Sequence, residues 1–324
     1  MGFGDFDQIC SKVSLPLCSL IGPYDQKSTI ATIGIEAECY SRSIELANTI
    51  IFQGASDFIH IISLIMTAIM LIHVRSKFTA VGRKEITTFF YLFMGLTAVS
   101  LCLDAGVIPV GSQVYLYFVA VQSGMISALC WCLMINGFVG FQLYEDGTRL
   151  SIWLLRLSSL LMFLVTGAVA LATFKGWAGL GPTKTIGLFV VLYILNAVFL
   201  VVYIASQILL VLNTLQDRWP LGDILFGILF FAVGQVLLYA VSDKICNAVN
   251  HYLDGVFFAT ICNLLGVMMV YKYWDSITKE DLEFSVASQN FEVKEPLMDE
   301  SKFHSTYEPE FHPPGTRSSA YQYY

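Results

Sequence analysis

Charged side chains are scarce in this chain of 324 residues. Asp, Glu, Lys and Arg together make up 13% of it, whereas 56% of the residues are hydrophobic and the mean hydropathy is +0.66. A soluble domain of this composition would leave far too much apolar surface exposed to water. The composition therefore excludes an ordinary soluble protein and predicts that lipid is the solvent for most of the chain.

Histidine is scarce as well, since only His60, His73 and His251 precede the C-terminal tail. Three are too few for the histidine boxes of a membrane di-iron enzyme or for the convergent ligands of a seven-span metal hydrolase, and without ligands there is no activated water. Lys272 stands at the end of the last apolar stretch, which excludes the mid-span Schiff-base lysine of a retinal protein. We predict a protein that is not an enzyme and that uses no cofactor and no metal.

Internal repeats are not found, and the end of the third apolar stretch, GFVGFQLYEDG, lacks the acidic-Arg pair of a signalling receptor. Discontinuous helices with Gly and Pro in mid-span, which mark many transporters, are not evident either. An independent transporter or receptor stays open as the more distant alternative.

Seven long apolar stretches separated by short polar connections fill most of the chain. Each is long enough, at about 1.5 Å per helical residue, to cross a hydrocarbon core of about 30 Å. Because every backbone N–H and C=O needs an internal partner in lipid, the stretches are expected to be helices. The sequence predicts an all-α polytopic membrane protein with spans at Leu46–Ile72, Ile86–Val107, Tyr115–Phe141, Ile152–Thr173, Thr185–Leu212, Gly222–Ser242 and Tyr252–Tyr271.

These spans divide the chain into an N-terminal segment at 1–45, a seven-helix bundle at 46–274 and a tail at 275–324. The tail contains ten acidic and four basic residues and has no apolar periodicity. Such a composition predicts a disordered segment.

Basic residues in the connections predict the orientation in the membrane. The first connection holds Arg75, Lys77, Arg83 and Lys84, and its side of the bundle has eight Lys and Arg against six on the other. Because basic residues accumulate on the cytosolic side, the N-terminal segment is expected to be lumenal and the tail cytosolic.

Cysteines follow the same topology. Cys10, Cys18, Cys39 and Cys246 all fall on the predicted lumenal side, and the other four cysteines lie within spans. Four cysteines in an oxidising compartment permit two disulfides with three possible pairings. We favour a bond from Cys39 or Cys10 to Cys246, with free thiols as the alternative, and no Cys or His spacing resembles a zinc site.

Polar side chains inside the spans are candidate sites because they are costly in lipid. Asp57 and His60 are three residues apart in the first span, where they can pair with each other or line a cavity. Asn136, Asn196 and Asn263 add amides deep in their spans. These amides either form hydrogen bonds between helices of the bundle or face the transmembrane helices of another protein.

Several long strings resemble those of the fungal chitin synthase export chaperones. They are MGFGDFDQICSKVSLPLCSL at the N-terminus, CYSRSIELANTIIF from Cys39, TAVGRKE from Thr79, DAGVIPVGSQVYLYFVAVQSG from Asp104, GFVGFQLYEDGT from Gly137, GQVLLYAVSDKIC from Gly234 and HYLDGVFFATICNLLGVMMVYKYWDSITKEDLEF from His251. The resemblance covers roughly residues 1 to 285 and all seven spans. It implies residence in the membrane of the endoplasmic reticulum, chitin synthase as a polytopic membrane client, and no catalytic residues.

With a chaperone role, the bundle is expected to contact lipid and the client, with no nucleic-acid partner. Asp281 and Glu283 flank Leu282 in an acidic-x-acidic pattern, which is a candidate signal for vesicle coat proteins. A stable accessory subunit that travels with the synthase to the plasma membrane is the alternative function.

Overall fold

The computed structural model describes residues 4–22, 33–46, 49–78, 80–141, 148–214 and 218–292. Seven of its helical segments are long and apolar enough to cross a membrane, which confirms the seven-span all-α fold class. In chain order the helices are α1 (Asp7–Cys10), α2 (Gly54–Ser76), α3 (Arg83–Asp104), α4 (Gln113–Val139), α5 (Arg149–Lys175), α6 (Ile186–Phe189), α7 (Asn196–Thr214), α8 (Trp219–Tyr239), α9 (Ser242–Ala248) and α10 (Gly255–Glu292). A π-helical turn at Val190–Leu195 joins α6 to α7, so that Ile186–Asn213 forms the fifth span.

The first span begins at Gly54, not at Leu46 as the sequence predicted. The intervening residues form a small antiparallel hairpin of β1 (Ile44–Leu46) and β2 (Thr49–Ile51), in which Ile44 pairs with Ile51. The run of β-branched residues in β2 favours a strand, although its hydropathy alone cannot be told from that of a helix. Gln53 adopts a left-handed conformation (φ 47°) immediately before the helix, so the helix does not continue backward into the hairpin.

The last helix continues beyond the predicted seventh span. Its membrane-spanning part is Gly255–Thr278, but helical backbone extends to Glu292, inside the segment that the sequence assigned to the tail. The residues between Trp274 and Glu292 include no Gly or Pro, so nothing in them interrupts a helix, and Pro296 follows shortly after. The unit that contains the bundle comprises Met1–Glu280, and a second unit comprises Asp281–Tyr324.

Helix α4 is the central helix of the bundle and contacts α3, α5 and α7. Half of its most apolar window is buried inside the protein, compared with 17% for α8. Gly124, Ala128 and Cys132 form a stripe of small, buried residues along α4. A Cβ atom added at Gly124 would lie 2.8 Å from the carbonyl oxygen of Phe163 in α5. The stripe therefore serves close packing of α4 on α5 within the bundle, as small residues do in membrane helices.

Two apolar clusters fill the two ends of the bundle. At one end Phe6 and Ile21 of the N-terminal segment pack with Val119, Phe174 and Leu188 from three spans. At the opposite end the buried side chains are Met70, Val74, Phe89, Phe90, Leu133, Leu155 and Trp274. The N-terminal segment thus closes one end of the bundle, while the buried side chains that fill the other end come from the spans themselves.

We expect the Gly124→Ala substitution to lower the midpoint of thermal unfolding in detergent, because the new methyl group would force α4 away from Phe163. Gly222→Ala in α8 is the matched control, since a Cβ there meets nothing within 4 Å. Alanine is the better helix former by about 1 kcal/mol, so the control should unfold at the same or a higher temperature. Equal midpoints for the two variants would contradict this description of the α4 and α5 contact.

Candidate functional site

Four cysteines at one end of the bundle form two disulfides. Cys10 is bonded to Cys18 with Cα atoms 5.6 Å apart, and Cys39 is bonded to Cys246 with Cα atoms 6.2 Å apart. The second bond joins positions 207 residues apart and ties the N-terminal segment to the connection between α8 and α10. Of the two partners that the sequence favoured for Cys246, Cys39 is the one bonded to it. We refer to the end of the bundle that contains Cys10, Cys18, Cys39 and Cys246 as the cysteine end.

Aromatic contacts hold the N-terminal segment on the cysteine end. Phe6 is fully buried, and its ring centroid lies 5.7 Å from that of Phe189 and 5.8 Å from that of Tyr193. The Tyr115 hydroxyl, at the start of α4, donates a hydrogen bond of 3.0 Å to the carbonyl oxygen of Pro16. The segment is therefore anchored to two spans by side chains in addition to the disulfide.

His251 lies beside the Cys39–Cys246 bond. Its Nδ1 atom is 3.0 Å from Cys39 Sγ and 3.7 Å from Cys246 Sγ. The histidine is exposed, whereas both cysteines are buried. The backbone N–H of Arg42 donates a hydrogen bond of 2.7 Å to the carbonyl oxygen of His251. The two segments that the disulfide links are therefore also linked by a backbone hydrogen bond.

Cys39, Cys246 and His251 also bring together atom types that bind metal ions. Within the described ranges, the candidate donor atoms of Cys39, Cys246 and His251 are the one group of at least three from His, Cys, Asp or Glu that lie within 4.8 Å of one another. The two sulfur atoms are bonded to each other, so neither is free to bind a metal ion in this state.

Ionisable side chains of α2 and α3 meet near the cysteine end. His60 Nε2 lies 3.0 Å from Asp104 Oδ2, and both side chains are less than a tenth exposed. Asp57, one turn before His60, is buried, and neither of its carboxylate oxygens has a hydrogen-bond partner among the described residues. Instead of pairing with Asp57, as the sequence allowed, His60 pairs with Asp104, because the end of α3 packs against the start of α2.

Asp254 lies immediately before the last span, which begins at Gly255. Its carboxylate accepts a hydrogen bond of 3.1 Å from the backbone N–H of Phe257, in the manner of a helix N-cap. Burial raises the pKa of Asp254, and the bond from Phe257 opposes that rise. The residue orders the start of α10 and is therefore explained by the fold.

The predicted amides do not all have the expected role. Asn196 Nδ2 donates to the carbonyl oxygen of Leu192 in the π-helical turn, and Asn136 Nδ2 donates to the carbonyl oxygen of Cys132, both at 2.8 Å. Each bond lies within its own span. These side-chain nitrogen atoms therefore donate to the backbone of the same helix and do not link two helices. Asn263 is partly buried, and its Oδ1 atom has no hydrogen-bond partner in the described part of the chain.

Three of the candidate partner residues are inaccessible to another protein in this structure. Asp57, His60 and Asn196 are 6%, 7% and 5% exposed. A transmembrane helix of a second protein cannot reach them unless the bundle opens.

Gln207 supplies an amide contact between helices. Its Nε2 atom donates a hydrogen bond of 3.0 Å to the carbonyl oxygen of Gly137, which joins the fifth span to α4. A Cβ atom added at Gly137 would lie 2.8 Å from that nitrogen, so the glycine is what allows the approach.

Ionic and aromatic contacts at the opposite end join residues that the sequence did not predict to be in contact. Lys77 forms an ion pair with Asp275, and the Trp274 indole N–H donates a hydrogen bond of 3.2 Å to the carbonyl oxygen of Val81. The sequence places Asp275 in the tail, but its ion pair with Lys77 joins it to the bundle. These contacts join the connection between α2 and α3 to the end of the seventh span.

Glu85 is another residue whose role the sequence did not predict. It is 1% exposed in the first turn of α3, and its Oε1 atom accepts a hydrogen bond of 3.2 Å from the Ser151 hydroxyl. An acidic residue in the first turn of a helix is favoured by the helix dipole. The position of Glu85 in the first turn of α3 could have indicated a role at the start of the helix. Nothing in the sequence indicates that the side chain is buried.

The membrane-facing surface is least covered on the fifth span and α8, each of which has 17% of its most apolar window buried. The exposed large side chains of α8 within the membrane are Leu225, Phe226, Leu229, Phe231, Val233 and Val236. On α5, Arg156 is exposed about two turns from the helix start, where its long side chain can extend toward the membrane surface.

The candidate coat signal falls on α10. Asp281 and Glu283 lie in the helical backbone that extends to Glu292, but their side chains lie outside the described part of the structure.

The chain is similar to one described protein family and to curated proteins that carry the same name. A family model described as chitin synthase export chaperone matches residues 2–288. Curated relatives with that name include a Fusarium oxysporum protein, 68% identical over 303 residues that cover 93% of this chain and 90% of the relative. A Chaetomium globosum protein is 64% identical over 323 residues, covering 99% of this chain and 96% of the relative. No solved structure matches the chain.

We expect Asp104→Ala to destabilise the bundle by about 1–3 kcal/mol, because it leaves the buried His60 imidazole without its partner. Asp57→Asn is the matched variant, since it changes a buried carboxyl group whose oxygens have no hydrogen-bond partner among the described residues. It should be less destabilising than Asp104→Ala, or stabilising, in thermal unfolding in detergent. The reverse order would mean that Asp57, and not Asp104, supports His60.

Proposed function

This chain belongs to the chitin synthase export chaperone family, and we propose from that premise that it assists the folding and export of chitin synthase in the membrane of the endoplasmic reticulum. The observation that carries the proposal is the extent of the similarity. It runs through residues 2–288, which include all seven spans, and the relatives are 62% to 68% identical over most of the chain. The similarity to the family therefore includes the whole membrane bundle and the cysteine end.

The proposed orientation places the cysteine end in the lumen and the opposite end in the cytosol. Support comes from the two disulfides, which persist in an oxidising compartment. The basic residues of the first connection, Arg75 to Lys84, lie at the opposite end, as expected for a cytosolic surface. Alkylation of free thiols in intact cells, followed by peptide mapping, checks this, because cytosolic Cys10 and Cys18 would be found reduced.

The proposed action is contact with the client in the membrane, without a chemical reaction. The least covered side of the bundle, made by the fifth span and α8, offers an apolar surface to the transmembrane helices of the new chitin synthase. In lipid such an association depends on side-chain packing, since the acyl chains are as apolar as the protein surface. Shielding of incompletely packed client helices would reduce their aggregation until the client has folded.

With that orientation the tail lies on the cytosolic side of the membrane, where vesicle coat proteins act. We include Asp281 and Glu283 in the proposal as an export signal for these proteins. Their spacing is the sole support for this role.

We expect tagged chitin synthase to remain in the endoplasmic reticulum of cells that lack this gene, while an unrelated polytopic cargo reaches the cell surface. Fluorescence microscopy of both cargoes in the same cells measures this. A third strain carries Asp281→Ala and Glu283→Ala, and a reduced rate of synthase export there would support the coat signal.

Normal delivery of the synthase in the deletion strain would contradict the export function. Synthase that reaches the surface normally but is inactive there, and that copurifies with this chain from plasma membrane, would favour the stable accessory subunit instead.

We expect newly made chitin synthase to crosslink to a photoreactive residue placed at Leu229 of α8. Ile65 of α2 is the matched control, because the two side chains are 52% and 55% exposed and both are aliphatic. Crosslinked product is quantified on gels after a short pulse of synthesis. Equal crosslinking at both positions would indicate random collision in the membrane and would contradict a client surface on α8.

A further inference from the structure

The two disulfides of the cysteine end have different surroundings. The sulfur atoms of Cys39 and Cys246 lie 3.0 Å and 3.7 Å from the Nδ1 atom of His251. The Cys10–Cys18 bond has no imidazole contact among the described residues, and the polar atom near Cys18 Sγ is the carbonyl oxygen of Val13, at 3.9 Å. A titratable group therefore contacts one bond and not the other.

The backbone holds the imidazole in this position. The N–H of His251 donates a hydrogen bond of 2.9 Å to the carbonyl oxygen of Cys246, and the N–H of Arg42 donates one of 2.7 Å to the carbonyl oxygen of His251. His251 and Asn250 both have left-handed backbone conformations, with φ of 66° and 53°. Such conformations are uncommon outside glycine and are kept where the surrounding structure imposes them.

A protonated imidazole beside a cysteine stabilises the thiolate form of that cysteine. A disulfide is reduced more easily when its leaving sulfur is a stable thiolate, and reduction is more favourable when the reduced form is stabilised. The Nδ1 atom is closer to Cys39 than to Cys246, so the stabilised thiolate is that of Cys39. Asn247 Oδ1 also lies near the bond, 3.8 Å from Cys39 Sγ.

We propose that Cys39–Cys246 is a redox-active disulfide that exchanges with a dithiol, and that His251 stabilises the Cys39 thiolate produced by the exchange. A thiolate of the dithiol attacks Cys246 Sγ, the Cys39–Cys246 bond breaks, and its electron pair leaves on Cys39 Sγ. The second thiol of the reductant then displaces Cys246 as a thiol, and the dithiol departs as its own disulfide. Each protein disulfide thus gains two electrons, and each dithiol loses two.

The consequence of reduction is local to the cysteine end. It removes the covalent link between the N-terminal segment and the connection between α8 and α10, while the Cys10–Cys18 bond remains. Both cysteines of the active bond are buried, so the attack needs a local opening of residues 246–252. The inference concerns the equilibrium of reduction and does not depend on the proposed chaperone function.

The test compares reduction equilibria in the full-length protein in detergent. Samples are equilibrated in mixtures of reduced and oxidised dithiothreitol, the thiols are alkylated, and each cysteine pair is quantified by peptide mass spectrometry. The variant is His251→Asn, because asparagine tolerates the left-handed conformation but carries no imidazole. Tyr252→Phe is the neighbouring control, and the Cys10–Cys18 bond is the control within each molecule.

We expect His251→Asn to make reduction of Cys39–Cys246 less favourable by roughly tenfold, with Cys10–Cys18 and the Tyr252→Phe variant unchanged. No change at Cys39–Cys246, or an equal change in both bonds, would overturn the proposal, because a general loss of structure affects both. Should the asparagine variant fail to give a monodisperse protein, His251→Gln replaces it, and the same two results decide.

Discussion

The close approach of α4 to α5 at Gly124 determines the position of α4, and the rest of the bundle is arranged around that helix. Because α4 also contacts α3 and the fifth span, any side chain that separated it from α5 would displace several interfaces together. Small residues are the means by which helices pack in lipid, where water does not drive apolar surfaces together. The same dependence on close contact explains why Gly137 admits Gln207 as an amide bridge to the fifth span.

The two ends of the bundle are stabilised in different ways. At the cysteine end, a separate segment of chain packs against the spans through Phe6 and is bonded to them by the Cys39–Cys246 disulfide. At the opposite end, contacts such as the Lys77–Asp275 ion pair join the spans and their connections directly. Between them, α8 and the fifth span leave most of their apolar surface to the membrane, and this combination of closed ends and an open flank suits a protein that contacts another membrane protein.

Hydropathy predicted all seven spans because lipid requires long apolar helices whatever the sequence details. It misplaced the first span's start, since the Thr49–Ile51 strand is as apolar as a helix, and it did not extend the last helix beyond the membrane. Topology placed four cysteines together, but their pairing depends on the path of the N-terminal segment. The His60–Asp104 pair and the burial of Glu85 depend on helix neighbours, which one sequence does not reveal.

We propose that this bundle keeps chitin synthase from aggregating while the synthase folds in the membrane. The most direct test is the aggregated fraction of chitin synthase made by cell-free translation into microsomes that contain or lack this chain, measured by sedimentation after mild solubilisation. We expect a smaller aggregated fraction when the chain is present, and no such difference for an unrelated polytopic protein. An aggregated fraction that does not depend on the chain would contradict the claim.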